Sequence, residues 1–290
     1  MNNTVTCGMV YASDLDRTLI FSSKYLTDNP SDGNMFEVER YSDDFAIFMD
    51  ADVRKKLRQL DGMMFDLKGF YSYLIPPVPS DMVPQQQALF VPVTSRSLSQ
   101  YERLNLGFIP KYAITSCGGV ILKDGYPIPE WEAYVNDSID KSDAMHMMEE
   151  LRLEGYEVRF VDEIFLFFKD KGDGNRYLNI IREHKKWSYT KQGNKVYVTA
   201  CNISKESALS WLMKCLGNPY LIASGDGKMD LPMLYMADMP IVPNKSYITE
   251  ENLWDSEKKF LPVYGGIKSP LETFELISKA KRYLIKCTNH

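Results

Sequence analysis

Short apolar runs, rich in β-branched and aromatic side chains, recur along the chain and read as buried strands at 8–13 (GMVYAS), 89–93 (LFVPV), 112–115 (YAIT) and 220–223 (YLIA). Longer stretches with apolar residues at helical spacing separate them. These predict helices over 51–60, with Asp50 as N-cap, then 141–154, 204–216 and 270–283, where Pro270 suits a first turn. Strands alternating with amphipathic helices predict an α/β fold with a mainly parallel sheet.

Two regions break this rhythm. From about Lys123 to Lys195 the strand-like segments YEVRF and IFLFFK mix with the amphipathic KSDAMHMMEELRLEG and a further helical stretch near 175–186. That mixture predicts a separate α+β unit over 123–195, inserted into a sheet domain made of 1–122 and 196–290. Residues 22–88 hold Pro76, Pro77, Pro79 and Pro84, many acids and one clear helix, so they read as an unusual excursion, either a flap over the site or an irregular surface segment.

Composition narrows the function. A formal net charge of −5, with no basic block, gives no reason to expect a nucleic-acid partner. No apolar run approaches the 18 or so residues of a membrane helix, and MNNTVTCGMV lacks a basic n-region, so a cytoplasmic protein without a membrane partner is expected. Five widely spaced cysteines without a CxxC pair suggest reduced, mostly buried thiols rather than a disulfide framework or a zinc site. Oligomeric state is not legible.

Three of the apolar runs end in polar clusters, SDLDRT, TSRS and SGDGKMD. Ligands of open parallel sheets bind beyond the carboxyl ends of the strands, so these clusters are expected to converge. In the first, Asp14 and Asp16 share a side if strand geometry continues through them, with Thr18 following. Two such carboxylates need a divalent cation, a shared proton or plain exposure, and a turn in which an aspartate caps the next helix fits equally well. In the second, the hydroxyls of Thr94 and Ser95 and their backbone N–H groups suit a phosphoryl group at a helix start, although such residues are routine caps. In the third, Gly225 and Gly227 permit a tight turn and Asp226 and Asp230 share a face in a helical turn, which suits a hard cation. Lys205 opens a helix against the macrodipole, a position that calls for a nearby anion. His146, His184 and His290 fall near no motif, and His146 reads as a surface or packing residue.

The order DxDxT, a strand ending in Thr/Ser, a helix-opening lysine, then GDxxxD resembles the four motifs of the haloacid dehalogenase superfamily of phosphohydrolases. The segment ITSCGGVILKDG is similar to the one that leads into the C2-type cap of the Cof-type and sucrose-phosphatase-like branch. The resemblance implies a Rossmann-like core with an inserted α+β cap domain and a Mg²⁺-dependent phosphatase acting on a small phosphorylated metabolite, such as a sugar phosphate. It implies Asp14 as the nucleophile that forms an aspartyl-phosphate and Asp16 as acid and then base. Thr94, Ser95 and Lys205 would hold the phosphoryl group. Asp14, the Asp16 carbonyl, Asp226 and Asp230 would hold the metal. A phosphomutase of the same superfamily and a non-catalytic regulatory binding protein are the alternatives. The sequence departs from the pattern at Arg17, expected to point into solvent where the family has glycine, at Ser95, and in the about 75 residues between the first two motifs. Arg96, Trp131 and Arg159 are candidates for substrate contact with no pattern to select among them.

Overall fold

The computed structural model describes residues 6–23, 35–42, 45–61, 64–65, 86–258, 260–266 and 269–286. The first strands in chain order are β1 (Thr6–Ser13), β2 (Phe21–Ser22), β3 (Met35–Ser42), β4 (Phe45–Asp50), β5 (Met64–Phe65) and β6 (Gln86–Pro92). Next come β7 (Tyr112–Thr115), β8 (Val120–Lys123), β9 (Tyr126–Pro127), β10 (Arg159–Val161) and β11 (Phe165–Lys169). The last are β12 (Trp187–Gln192), β13 (Lys195–Ala200), β14 (Tyr220–Ser224), β15 (Met239–Pro243) and β16 (Leu261–Val263).

The central sheet has the order β16-β15-β14-β1-β6-β5 and is parallel except for β5, a short antiparallel edge. Alternation along its strands feeds two apolar layers, as a sheet covered on both faces requires. Val10, Ala12, Leu221 and Ala223 join the layer that contains Leu209 and Leu212 of the helix Lys205–Cys215. Tyr11, Phe90 and Ile222 join the opposite layer, with Val53 and Leu57 of the helix Ala51–Leu60 and Phe274 and Ile277 of the helix Ser269–Lys286. Asp50 caps the helix Ala51–Leu60 as expected, its Oδ1 accepting from the N–H groups of Asp52 and Val53.

The run YAIT is a strand but not a full member of this sheet. It pairs antiparallel with β8 in a small sheet, β7-β8-β9, and meets the central sheet through a single parallel bridge between Val93 and Ile114. Periodicity identifies a strand and says nothing of its partner.

The middle of the chain forms an antiparallel sheet of order β10-β11-β13-β12. Buried side chains of the helices Lys141–Leu153 and Tyr177–Glu183, among them Met147, Leu151, Tyr177 and Ile181, share an apolar layer with Leu166, Phe168, Val196 and Val198 of this sheet. The sheet runs past the expected exit at 195, because Lys195–Ala200 pairs with both β11 and β12. Within the excursion after β1, residues 21–50 contain a second antiparallel sheet, β2-β4-β3. The parts of the expected flap at 24–34, 43–44, 62–63 and 66–85 lie outside the described residues. Cys117 is buried as expected, whereas Cys201 and Cys215 are exposed. Among the described residues no helix is long and apolar enough to cross a membrane.

Candidate active site

Three adjacent central strands, β14, β1 and β6, end in register. Ser13 lies opposite Ser224 on one side and Pro92 on the other. Asp14 N–H donates to the Ser224 carbonyl (2.9 Å) and Val93 N–H to the Ser13 carbonyl (2.8 Å), so the three polar clusters emerge side by side. Beneath them the hydroxyls of Tyr11, Ser13 and Ser224 bond to one another at 2.7–2.9 Å, and Ser13 Oγ also donates to the Asp14 carbonyl at 2.7 Å. Buried hydroxyls satisfied in this way fix the backbone from which Asp14 projects.

Strand geometry does not continue through the paired carboxylates. After Ser13 the chain turns, with the Leu15 carbonyl accepting from the N–H groups of Thr18, Leu19 and Ile20, and Arg17 takes a left-handed φ of 68°. Asp14 and Asp16 therefore enter different surroundings. Asp14 is buried, and its Oδ1 accepts from Lys205 Nζ at 2.6 Å while its Oδ2 accepts from Thr18 Oγ1 at 3.3 Å. The Asp16 side chain is 48% exposed and is gripped by Arg96, whose Nε and Nη2 donate to Oδ2 and Oδ1 at 2.7 and 2.8 Å.

Arg17 does not point into solvent. Its Nε lies 3.4 Å from Asp226 Oδ2 and its guanidinium stacks 4.5 Å from the centre of the Tyr247 ring. A buried carboxylate attracts any cation within reach, and the left-handed turn brings this one to the mouth of the site.

Lys205 lies at the first turn of its helix, where the Ser204 side chain accepts from Ser207 N–H. The lysine is buried, and Nζ bridges Asp14 Oδ1 and Asp230 Oδ1, the latter at 2.7 Å. This is the anion its position demanded. Burial alone would lower the lysine's pKa, but the two carboxylates outweigh it and the net shift is upward. Asp230 Oδ2 accepts from Gly227 N–H at 2.9 Å. Gly225 cannot carry a side chain here, since a Cβ would lie 2.4 Å from Asp230 Cβ. Burial raises Asp14 well above the usual carboxylate range against the pull of Lys205, and burial with the neighbouring Asp230 pushes Asp226 up to about 7.

Ligand atoms of Asp14, Asp226 and Asp230 lie within 4.8 Å of one another. Asp226 Oδ2 is buried and has no hydrogen-bond partner, an expensive state for a carboxylate oxygen and one that a bound cation would relieve. Three hard oxygen donors, one of them without a hydrogen bond, fit a hard cation.

The second cluster differs from its expectation. Thr94 and Ser95 precede the helix Leu98–Glu102, and its cap is Ser97, paired with Gln100 in a capping box. Thr94 is buried, its N–H donating to the Ile114 carbonyl and its Oγ1 accepting from Arg96 N–H at 3.2 Å. Ser95 reaches the Tyr197 hydroxyl on β13, linking the cluster to the inserted sheet. Trp131 is committed to packing, its indole donating to the Gly118 carbonyl, and Arg159 stacks on Phe167. His184, unassigned from sequence, is buried between Asp143 and Glu150, while His146 is exposed as expected.

No protein-family model matches the sequence, and no curated protein matches it. Solved structures do. A sucrose-phosphatase from Synechocystis, in complex with sucrose and phosphate, superposes with a TM-score of 0.60 at 11% identity, over 94% of this chain and 99% of that one. A phosphatase of the haloalkanoate (HAD) enzyme superfamily from Bacteroides thetaiotaomicron gives 0.57 at 15%, over 96% and 95%. A haloacid dehalogenase-like hydrolase from Bacillus subtilis gives 0.52 at 14%, over 94% and 93%. Across more than nine-tenths of its length, this chain has the haloacid dehalogenase-type fold of these structures, with a parallel core sheet and an inserted α+β unit.

Proposed function

We propose that this protein is a Mg²⁺-dependent phosphomonoesterase acting on a small phosphorylated metabolite through an aspartyl-phosphate on Asp14. One observation carries the reading: Asp14 projects from the end of the central strand into a buried cluster with Lys205, Asp226 and Asp230. A structural salt bridge gives no reason to gather three acids around one buried lysine at the end of three strands and leave a buried acid oxygen without a hydrogen bond, faced by Arg17 at 3.4 Å. The substrate class follows the neighbour that holds sucrose and phosphate, so a sugar phosphate leads the candidates.

The chemistry follows from the residues. An Asp14 carboxylate oxygen attacks phosphorus in line, and the bond from phosphorus to the leaving oxygen breaks as Asp16 gives that oxygen a proton. Asp16, now a carboxylate, takes a proton from water, the water oxygen attacks the same phosphorus, and the acyl-phosphate bond breaks to release phosphate and restore Asp14. Lys205 offsets the charge on Asp14 in both halves. Thr94 and Ser95 orient the phosphoryl oxygens. Asp14, Asp226, Asp230 and the Asp16 carbonyl would hold Mg²⁺, which when bound neutralises phosphoryl charge and aligns the group for attack. The core comprises 1–122 and 196–290, and the unit nominally at 123–195, with its sheet extending to Ala200, serves as a cap that selects the leaving group.

The test is phosphate release from a panel of phosphorylated metabolites and an aryl phosphate, with Mg²⁺ or with EDTA, comparing wild type with Asp14→Asn. Release that requires both the metal and Asp14 supports the reading. Release that survives Asp14→Asn rules out the covalent route, and return of labelled phosphate to substrate without release identifies a mutase.

A further inference from the structure

The sheet inserted after β1 brings to the site an acid that the mechanism above does not use. Glu39 lies on β3 with a side chain only 5% exposed. Its Oε2 accepts from Arg96 Nη1 at 2.8 Å and its Oε1 from Arg103 Nε at 3.0 Å. Tyr41, two residues further along the strand, accepts a longer bond from the same Nη1, at 3.3 Å. The strand is itself tied down, since the Val38 carbonyl accepts from Asn105 N–H at 2.8 Å. The guanidinium of Arg96 is thus held by Glu39 through Nη1 and forks both carboxylate oxygens of Asp16 through Nε and Nη2.

This arrangement solves a problem that Asp16 poses. Its side chain is half-exposed and leaves a turn rather than a strand, so packing does not set its rotamer. A two-point fork from a guanidinium fixes the orientation of both oxygens, provided the guanidinium is itself fixed. The arginine side chain is long and has several rotatable bonds; what immobilises its far edge is the buried Glu39. We propose that Glu39 is a positioning residue for Asp16, acting through Arg96, so that the sheet β2-β4-β3 sets the proton-transfer group of the reaction. The proton still passes between Asp16 and the leaving oxygen; Glu39 neither gives nor takes one. With its edges engaged by the two acids, Arg96 orients the acid rather than the substrate. The inference rests on the reading of Asp16 as proton donor.

Glu39→Gln keeps the shape and removes the charge that holds Arg96. An alkyl phosphate departs as an alkoxide and needs the proton, whereas p-nitrophenol leaves readily without it. On an alkyl phosphate that the wild type hydrolyses, kcat of Glu39→Gln should fall about ten- to a hundredfold, the size of loss seen when a hydrogen-bonded partner that orients a metal ligand is removed. KM should stay within about twofold, and the burst of p-nitrophenolate should keep its wild-type rate. Arg103→Gln, which removes the exposed partner of Glu39, should leave both rates near wild type. Equal loss on both substrates, no loss on either, or an Arg103→Gln enzyme as impaired as Glu39→Gln would overturn the proposal. If circular dichroism finds Glu39→Gln unfolded, Arg96→Lys, which keeps a cation and loses the fork, carries the same comparison with the same selective loss expected. A wild type that releases no phosphate from any substrate refutes the phosphomonoesterase reading instead, and does so before any variant is compared.

Discussion

Lys205 is the cation on which the buried acids depend. It is the partner of Asp14 and Asp230, all three are buried, and Arg17 faces Asp226 instead. Removing one member of such a cluster leaves its opponents uncompensated, at a cost of about 3–5 kcal/mol. Lys205→Met, similar in length, should lose about that much stability in urea denaturation at pH 8 and should lose phosphate release. The deficit should shrink as pH falls, because the raised carboxyls take up protons and no longer need the cation. A deficit that does not vary with pH would mean that Lys205 contributes through packing. Gly225→Ala should cost about 1–3 kcal/mol by forcing Asp230 aside, read as a lower midpoint in the same titration. The residues at stake here were visible in the sequence because a helix-opening lysine and a GDxxxD run need a ligand to make sense. The turn that separates Asp14 from Asp16 was not, because it depends on a left-handed residue that is neither glycine nor asparagine, Arg17. Nor was Glu39, whose role exists only once β3 lies against the loop that carries Arg96.

Whole strands and helices were easier to read than their partners. The central strands and the helices after Asp50, Asp140 and Ser204 carry apolar periodicity and capping residues, and their local pattern suffices. The pairing of YAIT, the two-residue strands β2 and β5, and the inclusion of Lys195–Ala200 in the inserted sheet depend on contacts far along the chain. One cross-element tie carries a pH signature. His184, just past the helix Tyr177–Glu183, bonds through Nδ1 to Asp143 and through Nε2 to Glu150, both on the helix Lys141–Leu153, each at 2.8 Å. Burial pulls its pKa down, but the two carboxylates prevail and the net shift is upward from 6.5. A histidine raised on folding stabilises fully below its unfolded pKa, and that contribution is lost as pH rises through the folded value. His184→Gln should therefore cost about 1 kcal/mol near pH 6 and less near pH 9, measured as the difference in unfolding free energy from wild type. An equal cost at both pH values would show that the imidazolium is not what holds the two helices.

At the scale of the molecule, the acid cluster is made only by folding. Asp14 lies more than two hundred residues from Asp226 and Asp230, and the parallel pairing of β1 with β14 joins them. An unfolded chain has no such site, so a cation that binds here binds the folded state alone and stabilises it by mass action, about 2.7 kcal/mol at a concentration a hundred times its dissociation constant. In a chain of this size that amounts to several degrees in melting temperature. The dependence separates the two readings of the cluster. If the acids are balanced by Lys205 and Arg17 alone, added Mg²⁺ brings nothing but ionic strength, which screens exposed pairs and leaves buried ones almost untouched. If Asp226 Oδ2 is a vacant ligand atom, Mg²⁺ should raise the melting temperature in a saturable way, EDTA should reverse the rise, and Na⁺ at matched ionic strength should not reproduce it. Asp226→Asn removes a ligand charge and lifts the repulsion from Asp230 but also takes the anion from the part-exposed Arg17, so without metal it should melt near wild type, and its response to Mg²⁺ should be lost. Thermal melts of wild type and Asp226→Asn across a Mg²⁺ series would settle this without knowledge of the substrate. A wild-type melting temperature that does not respond to Mg²⁺ up to tens of millimolar would rule out the cluster as a cation site.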